Sequence, residues 1–151
     1  MSTTITPSRR VSPYRLTRPT ATEDAIHQAI VDMMAILLLP PAQWTTFPAG
    51  LIELTGQQAA KLYRLGLRRS WPDILIAYRG IYGLEVKRPG GYLSRTRMVR
   101  TRSGAPRMVD GQSQMFPLLL RAGFAGIAVV HSADEAVAAL RGWAMPLRGV
   151  S

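Results

Sequence analysis

Trp71-Pro72-Asp73-Ile-Leu-Ile-Ala-Tyr78-Arg79-Gly80-Ile-Tyr-Gly-Leu-Glu85-Val86-Lys87-Arg88 contains two short apolar runs joined by a turn, with a carboxylate near the outer end of each. Runs rich in β-branched and aromatic residues read as strands, so the segment is a hairpin. Parity decides what it brings together. Side chains alternate faces along a strand, and directly opposed residues share a face. A two-residue turn at Arg79-Gly80 would pair Asp73 with Val86 and send Glu85 to the other side. A three-residue loop, Tyr78-Arg79-Gly80 with Gly80 left-handed, would set Asp73 opposite Glu85. For the two acids to share one metal, the loop must be odd-numbered or a bulge must correct it. Carboxylates are hard oxygen ligands suited to Mg²⁺ or Mn²⁺. A lysine beside them can orient a water or stabilise charge on a phosphate.

The charge balance gives that cluster a context. Nineteen Lys and Arg stand against nine Asp and Glu in 151 residues, a net charge of +10. Nearly all the cations are arginine, whose planar fork matches phosphate oxygens bidentately. A high-GC genome would explain the preference for Arg over Lys but not the net charge. The excess points to a polyanionic partner, and with the acids and lysine it points to metal-dependent cutting of nucleic acid. No cysteine is present, which excludes a disulfide framework, a Cys-based zinc site and a thiol nucleophile. His27 and His131 are too few for a His-rich metal site. The longest apolar run, Met33 to Pro41, is too short to cross a bilayer, and the N-terminus has no secretory apolar region, so a cytoplasmic protein is expected.

Residues 1–20 read as a flexible basic arm interrupted by Pro7, Pro13 and Pro19, and residues 21–151 as one domain. A first helix opens with the capping-box pattern Thr20-Ala-Thr-Glu23 and stops before Pro40-Pro41. Trp44 to Gly50 reads as a short strand ending in a turn. A second helix runs from near Thr55 to Leu65, capped by Gly66, with Lys61, Arg64, Arg68 and Arg69 along a basic edge. After Lys87, arginines alternate with Thr, Met or Val from Leu93 to Arg102 and again at Arg107, which reads as a two-stranded ribbon with a basic face. A third helix lies between about Gln112 and Ala122, where Pro117 should kink it or delay its start. A buried strand from Ile127 to His131 and a last helix opened by Ser132-Ala-Asp-Glu135 complete the chain.

These features resemble the VRR-NUC family of the PD-(D/E)xK nuclease superfamily. The resemblance rests on Glu23 in the first helix, the approach Gly66-Leu-Arg-Arg-Ser-Trp-Pro-Asp73, the run Leu84-Glu85-Val86-Lys87, and Gln112, which lies eleven residues before Gly123. It spans about Thr22 to Trp143. The resemblance implies an α/β (α+β) fold, a central mixed β-sheet flanked by helices in the restriction-endonuclease-like manner, here with an inserted basic β-hairpin. It implies Mg²⁺- or Mn²⁺-dependent hydrolysis of DNA phosphodiester bonds. Asp73 and Glu85 would ligate the metal with the Val86 carbonyl as a third oxygen, and Glu23 would join them directly or through water. Lys87 would position or activate the attacking water, and Gln112 would orient Lys87 or a phosphate.

Stand-alone members of the family look like phage or bacterial repair and recombination nucleases acting on branched or junction DNA, some as dimers. A homodimer on branched DNA is therefore an expectation. Phosphate contacts are expected from Arg68, Arg69, Arg88, Arg95, Arg97, Arg100, Arg102 and Arg107. Each residue also has a plainer reading. Glu85 and Lys87 would be an exposed ion pair on an edge strand, Glu23 a capping residue, and Gln112 a surface residue interchangeable with Gln114. His27, one turn from Glu23, could face the cleft, and its plainer reading is a satisfied or exposed histidine. The arginine ribbon, which the shortest family members lack, would be a solvated hairpin. In the loop Phe47-Pro48-Ala49-Gly50 many relatives carry Asn before the Gly, so its role is open. The competing functions are a nucleic-acid-binding module that does not cut and an RNase. Against RNA, Trp44, Trp71 and Trp143 are scattered and form no stacking platform.

Overall fold

A computed structural model describes residues 21–47 and 55–149; the expected N-terminal arm and the turn at 48–50 lie outside the described residues. The elements in chain order are α1 (Glu23–Leu37), β1 (Gln43–Thr46), α2 (Gly56–Arg64), β2 (Ile74–Ala77), β3 (Ile81–Val86), β4 (Arg97–Arg100), β5 (Pro106–Val109), α3 (Gln112–Arg121), β6 (Phe124–Val130) and α4 (Ala133–Gly142). One sheet has the order β1-β2-β3-β6, and β4 and β5 form a separate ribbon. The first two pairings of the larger sheet are antiparallel and the last is parallel. The arrangement is α+β with a mixed sheet.

The central hairpin has the odd-numbered loop. Ala77 lies opposite Ile81 and Ile74 opposite Leu84. That register leaves Tyr78-Arg79-Gly80 as the connection and, carried one residue outward, sets Asp73 opposite Glu85. The left-handed residue is not the expected Gly80 but Arg79, at φ 51°. The Arg79 guanidinium lies 5.2 Å over the Tyr78 ring, and the Tyr78 amide donates to the Gly80 carbonyl at 3.0 Å. Gly80 is needed for space, since a Cβ there would stand 3.1 Å from that of Ala125.

Alternation along these strands sorts the sheet into two unlike faces. Ile74, Ile76, Leu84, Val86 and Val130 form a core with Ile30 and Met34 of α1 and Leu140 of α4. Each such burial stabilises the fold by roughly 1.5–3 kcal/mol. Gly83 and Glu85 belong to the opposite face, on which Asp73 joins them, while α3 packs beside β6. The main apolar core thus lies on the face behind the acids.

Capping fixes where the helices begin. Thr22, not Thr20, caps α1: its side chain accepts from the Ala25 amide at 3.2 Å. Glu23 is therefore the first helical residue and not the closing member of a capping box. α2 has the reciprocal box expected of it, between Thr55 and Gln58, and Gly66 follows at φ 99°. Pro117 does not delay α3, which starts at Gln112 and continues through it. In the ribbon, Arg97 lies opposite Val109 and Val99 opposite Arg107, whereas Met98 faces Met108 and Arg100 faces Pro106. Its arginines are consequently divided between two faces, where a single basic face was expected. Among the described residues no helix is long and apolar enough to cross a membrane.

Candidate active site

Asp73 is fixed from both sides of the hairpin. Pro72, fully buried, lies over Gly83, where a Cβ would come within 2.5 Å of the proline ring. The Asp73 carbonyl accepts from the Phe47 amide at 2.7 Å, tying it to the end of β1. Its Oδ2 accepts from the Val86 amide at 2.8 Å. The contribution of Val86 visible here is this N–H, which aims the first carboxylate.

Glu85 is completely inaccessible on the same face. One oxygen, Oε1, takes both available donors: Lys87 Nζ at 2.6 Å and the Gln112 side-chain amide. The other, Oε2, is buried with no hydrogen-bond partner. Burial, followed by the adjacent Asp73 charge, pushes Glu85 up to about 7, although Lys87 and Gln112 pull the other way. Asp73 is also raised, mainly by burial, against the lowering effects of the Val86 hydrogen bond and the Lys87 charge. Burial pulls Lys87 down, but its hydrogen bond to Glu85 and the charges of Glu85, Glu23 and Asp73 hold it above its ordinary value. The cluster is two carboxylates short of positive charge and one ammonium that keeps its proton.

Gln112 reaches Glu85 because the chain comes back against the start of α3. Ser94 donates its amide to Gln112 Oε1 at 3.1 Å and accepts the Gln112 amide on its hydroxyl at 3.0 Å. Thr96 accepts the Gly111 amide at 3.1 Å and donates to Gln114. Only glycine allows this approach: a Cβ on Gly111 would lie 2.2 Å from the Arg95 carbonyl carbon. Gln112 therefore orients Glu85, where Lys87 or a phosphate was the expected object. Gln114 is engaged by Thr96 instead and is not its equivalent.

Glu23, Asp24 and His27 of α1 close the other side of a cavity of about 150 Å³ that Asp73, Glu85, Lys87 and Gln112 also line. Glu23 lies 3.8 Å from Lys87 Nζ and is half exposed, a weak pairing. His27 is buried, with Nε2 3.5 Å from the Thr46 hydroxyl, so it has a partner and also lines the cleft. The reading from sequence passed over Asp24 altogether. The signal for both was helical spacing, because His27 follows Glu23 by one turn and Asp24 by three residues.

Whether these residues suit a divalent cation turns on Glu85. Among the described residues no three His, Asp or Glu side chains converge closely enough to cage a metal unaided. The orphaned Oε2, in a carboxyl raised by burial and by the neighbouring Asp73 charge, nevertheless makes this a place where positive charge would be favoured. Mg²⁺ is commonly held by one or two carboxylates, with waters and substrate phosphates supplying the remaining oxygens. The donor set fits that pattern.

No family model, curated protein or solved structure matches this chain.

A second concavity, of about 840 Å³, lies between α2 and the ribbon. Arg68, Arg69, Arg97, Arg102 and Arg107 line it, over apolar walls that include Val99 and Val109, while Arg88, Arg95 and Arg100 lie elsewhere. Arg69 stacks 4.7 Å over Tyr63. Among the described residues no arginine lies within ion-pair distance of a carboxylate; the pairs present are made by Lys87 and His131. Five arginines against the single carboxylate of Asp110 make an electropositive groove. It adjoins the acidic cleft: Asp110 lines the groove, Gln112 lines the cleft, and Ser70 Oγ donates to the Asp110 carbonyl at 2.6 Å.

Proposed function

We propose that this protein is a Mg²⁺- or Mn²⁺-dependent endonuclease that hydrolyses DNA phosphodiester bonds, with a restriction-endonuclease-like core of VRR-NUC type. The observation that carries the reading is the buried, unpartnered Glu85 Oε2 beside Asp73, on a chain whose arginines converge unpaired on the adjoining groove. Asp73 and Glu85 would hold the ion, with the Val86 carbonyl and a Glu23-bound water completing the protein's share. A divalent ion there supplies Lewis acidity, lowering the pKa of a water and offsetting phosphate charge.

The remaining work falls to the chain itself. Lys87, held above its ordinary value by Glu85, Glu23 and Asp73, serves as a hydrogen-bond donor and positive charge toward water or phosphate. Gln112 holds Glu85 in one rotamer, with Oε1 engaged and Oε2 free. The groove arginines hold the backbone of the substrate and set its register on the protein.

Cleavage assays on duplex, flap, splayed-arm and four-way DNA, and on RNA, with Mg²⁺ or Mn²⁺ test the proposal. The expected result is metal-dependent DNA cleavage that Asp73→Ala and Lys87→Ala each abolish. No cleavage of any substrate would remove the enzymatic reading and leave a nucleic-acid-binding module. Cleavage insensitive to both substitutions would place the chemistry elsewhere.

A further inference from the structure

The face of the β4–β5 ribbon turned away from Val99 and Val109 carries an apolar pair that neither the cleft nor the groove explains. Met98 and Met108 are direct cross-strand partners and are 61% and 62% exposed. Arg100 and Pro106, also opposed, sit one pair further along the same face. Val99 and Val109, on the other face with Arg97 and Arg107, are half-buried along the groove, and Met108 reaches the groove's rim. Two large thioether side chains on a solvent face, with Arg100 on the same face, are costly in water and suited to an apolar surface with anionic edges.

We propose that Met98 and Met108 form a wedge that the ribbon sets against the base pairs of duplex DNA, unstacking or bending one base step beside the cleavage site. The inference rests on the DNA reading given above. Two-stranded ribbons enter either groove of duplex DNA, and methionine is among the apolar side chains that minor-groove binders insert between base steps. Arg100 stands on the methionine face beside a bound duplex, and Arg97 and Arg107 on the other face line the arginine groove, which one strand can follow. A second copy of the chain is a poor occupant, because it would bring the same arginines face to face. Duplex DNA is preferred over an anionic membrane because the base of the ribbon docks, through Ser94 and Gln112, against the acidic cleft. Pyrimidine–purine steps such as TA deform most easily and are the predicted targets.

Fluorescence of 2-aminopurine placed at a central TA step reports unstacking without any cleavage. The full chain is titrated into this duplex in metal-free, low-salt buffer beside two double variants, Met98→Ala with Met108→Ala and Met98→Leu with Met108→Leu. The wild type should raise the fluorescence several-fold at saturation, the alanine pair should lose most of that rise while still binding, and the leucine pair should keep it. An equal rise in the alanine pair overturns the wedge and leaves the DNA reading intact. Failure of the wild type to bind duplex overturns both. Methionine-dependent binding to phosphatidylserine vesicles, with no unstacking, would overturn the wedge in favour of a lipid surface.

Discussion

Lys87 Nζ stands 2.6 Å from Glu85 Oε1, so the ammonium occupies one oxygen of a buried carboxylate and leaves the other bare. Asp73, across the hairpin from Glu85, supplies the second negative charge. The pairing offsets only part of the burial penalty, since two carboxylates share one strongly held cation.

Stability should therefore depend on pH in an unusual direction. Glu85 is raised from its ordinary 4.5 to about 7, and Asp73 is raised as well. A carboxyl raised on folding binds its proton more tightly in the folded state. Its contribution is present below the unfolded value and is lost as pH rises through the folded one. Metal-free protein should lose on the order of 3 kcal/mol of stability from Glu85 between about pH 4.5 and 7. Lys87 stays charged across this window and does not oppose the trend. Thermal denaturation should show Tm falling toward pH 8, with Mn²⁺ restoring more stability at pH 8 than at pH 5. A flat profile, or equal Mn²⁺ shifts at both pH values, would count against two carboxyls raised by burial.

Gln112→Ala should reduce cleavage by about 10–100-fold, the usual effect of losing a group that orients a ligand. Gln114→Ala, which loses only the Thr96 contact, should stay much closer to wild type. Measuring the metal concentration for half-maximal rate separates the two. Gln112→Ala should raise it, and equal effects from both glutamines would mean that neither orients Glu85.

Gly111→Ala should destabilise the protein by about 1–3 kcal/mol through forced overpacking, because the added methyl meets backbone at Arg95 and Ser94 rather than a movable side chain. Activity should fall with it, since the same approach carries Ser94 to Gln112. Denaturant melts joined to rate measurements check this, and unaltered stability would contradict the close approach.

How much of this was readable in the chain depends on the range of each cause. Parity reduced the hairpin to a choice, since Asp73 meets Glu85 only through an odd connection or a bulge, and the odd connection is the one present. The cap at Thr55 was also legible, as its Gln58 partner is three residues away. At the first helix two threonines competed, and Thr22 caps in place of Thr20. Gly80 was the natural choice for a left-handed position, yet Arg79 takes it, and the glycine's lack of a side chain serves the close approach of Ala125 instead. The divided arginines were discoverable: Arg97 and Arg100 are an odd number of residues apart and cannot share a strand face. The partner of Gln112 was not, for it depends on a glycine-permitted contact across 18 residues.

Arg79→Gly follows from the same comparison. Removing a side chain from a left-handed position should stabilise the protein by about 1 kcal/mol, less the small loss of stacking on Tyr78. Chemical denaturation measures it, and a loss of stability would place Arg79 in another conformation.

The groove can be counted by salt. Arg97→Ala and Arg107→Ala should each make the slope of log K against log salt shallower by about one, independent of DNA sequence. Arg121→Ala, exposed and lining neither concavity, should leave the slope alone. Slopes unchanged in all three variants would remove the groove from the binding surface.

Calorimetric titration with Mn²⁺ at pH 8 tests the central claim most directly, because it asks whether the bare Glu85 oxygen and Asp73 await a cation. The wild type should bind Mn²⁺ at a site that Asp73→Asn and Glu85→Gln each eliminate while remaining folded by circular dichroism. Absence of binding in the wild type, or binding undiminished in both variants, would contradict it.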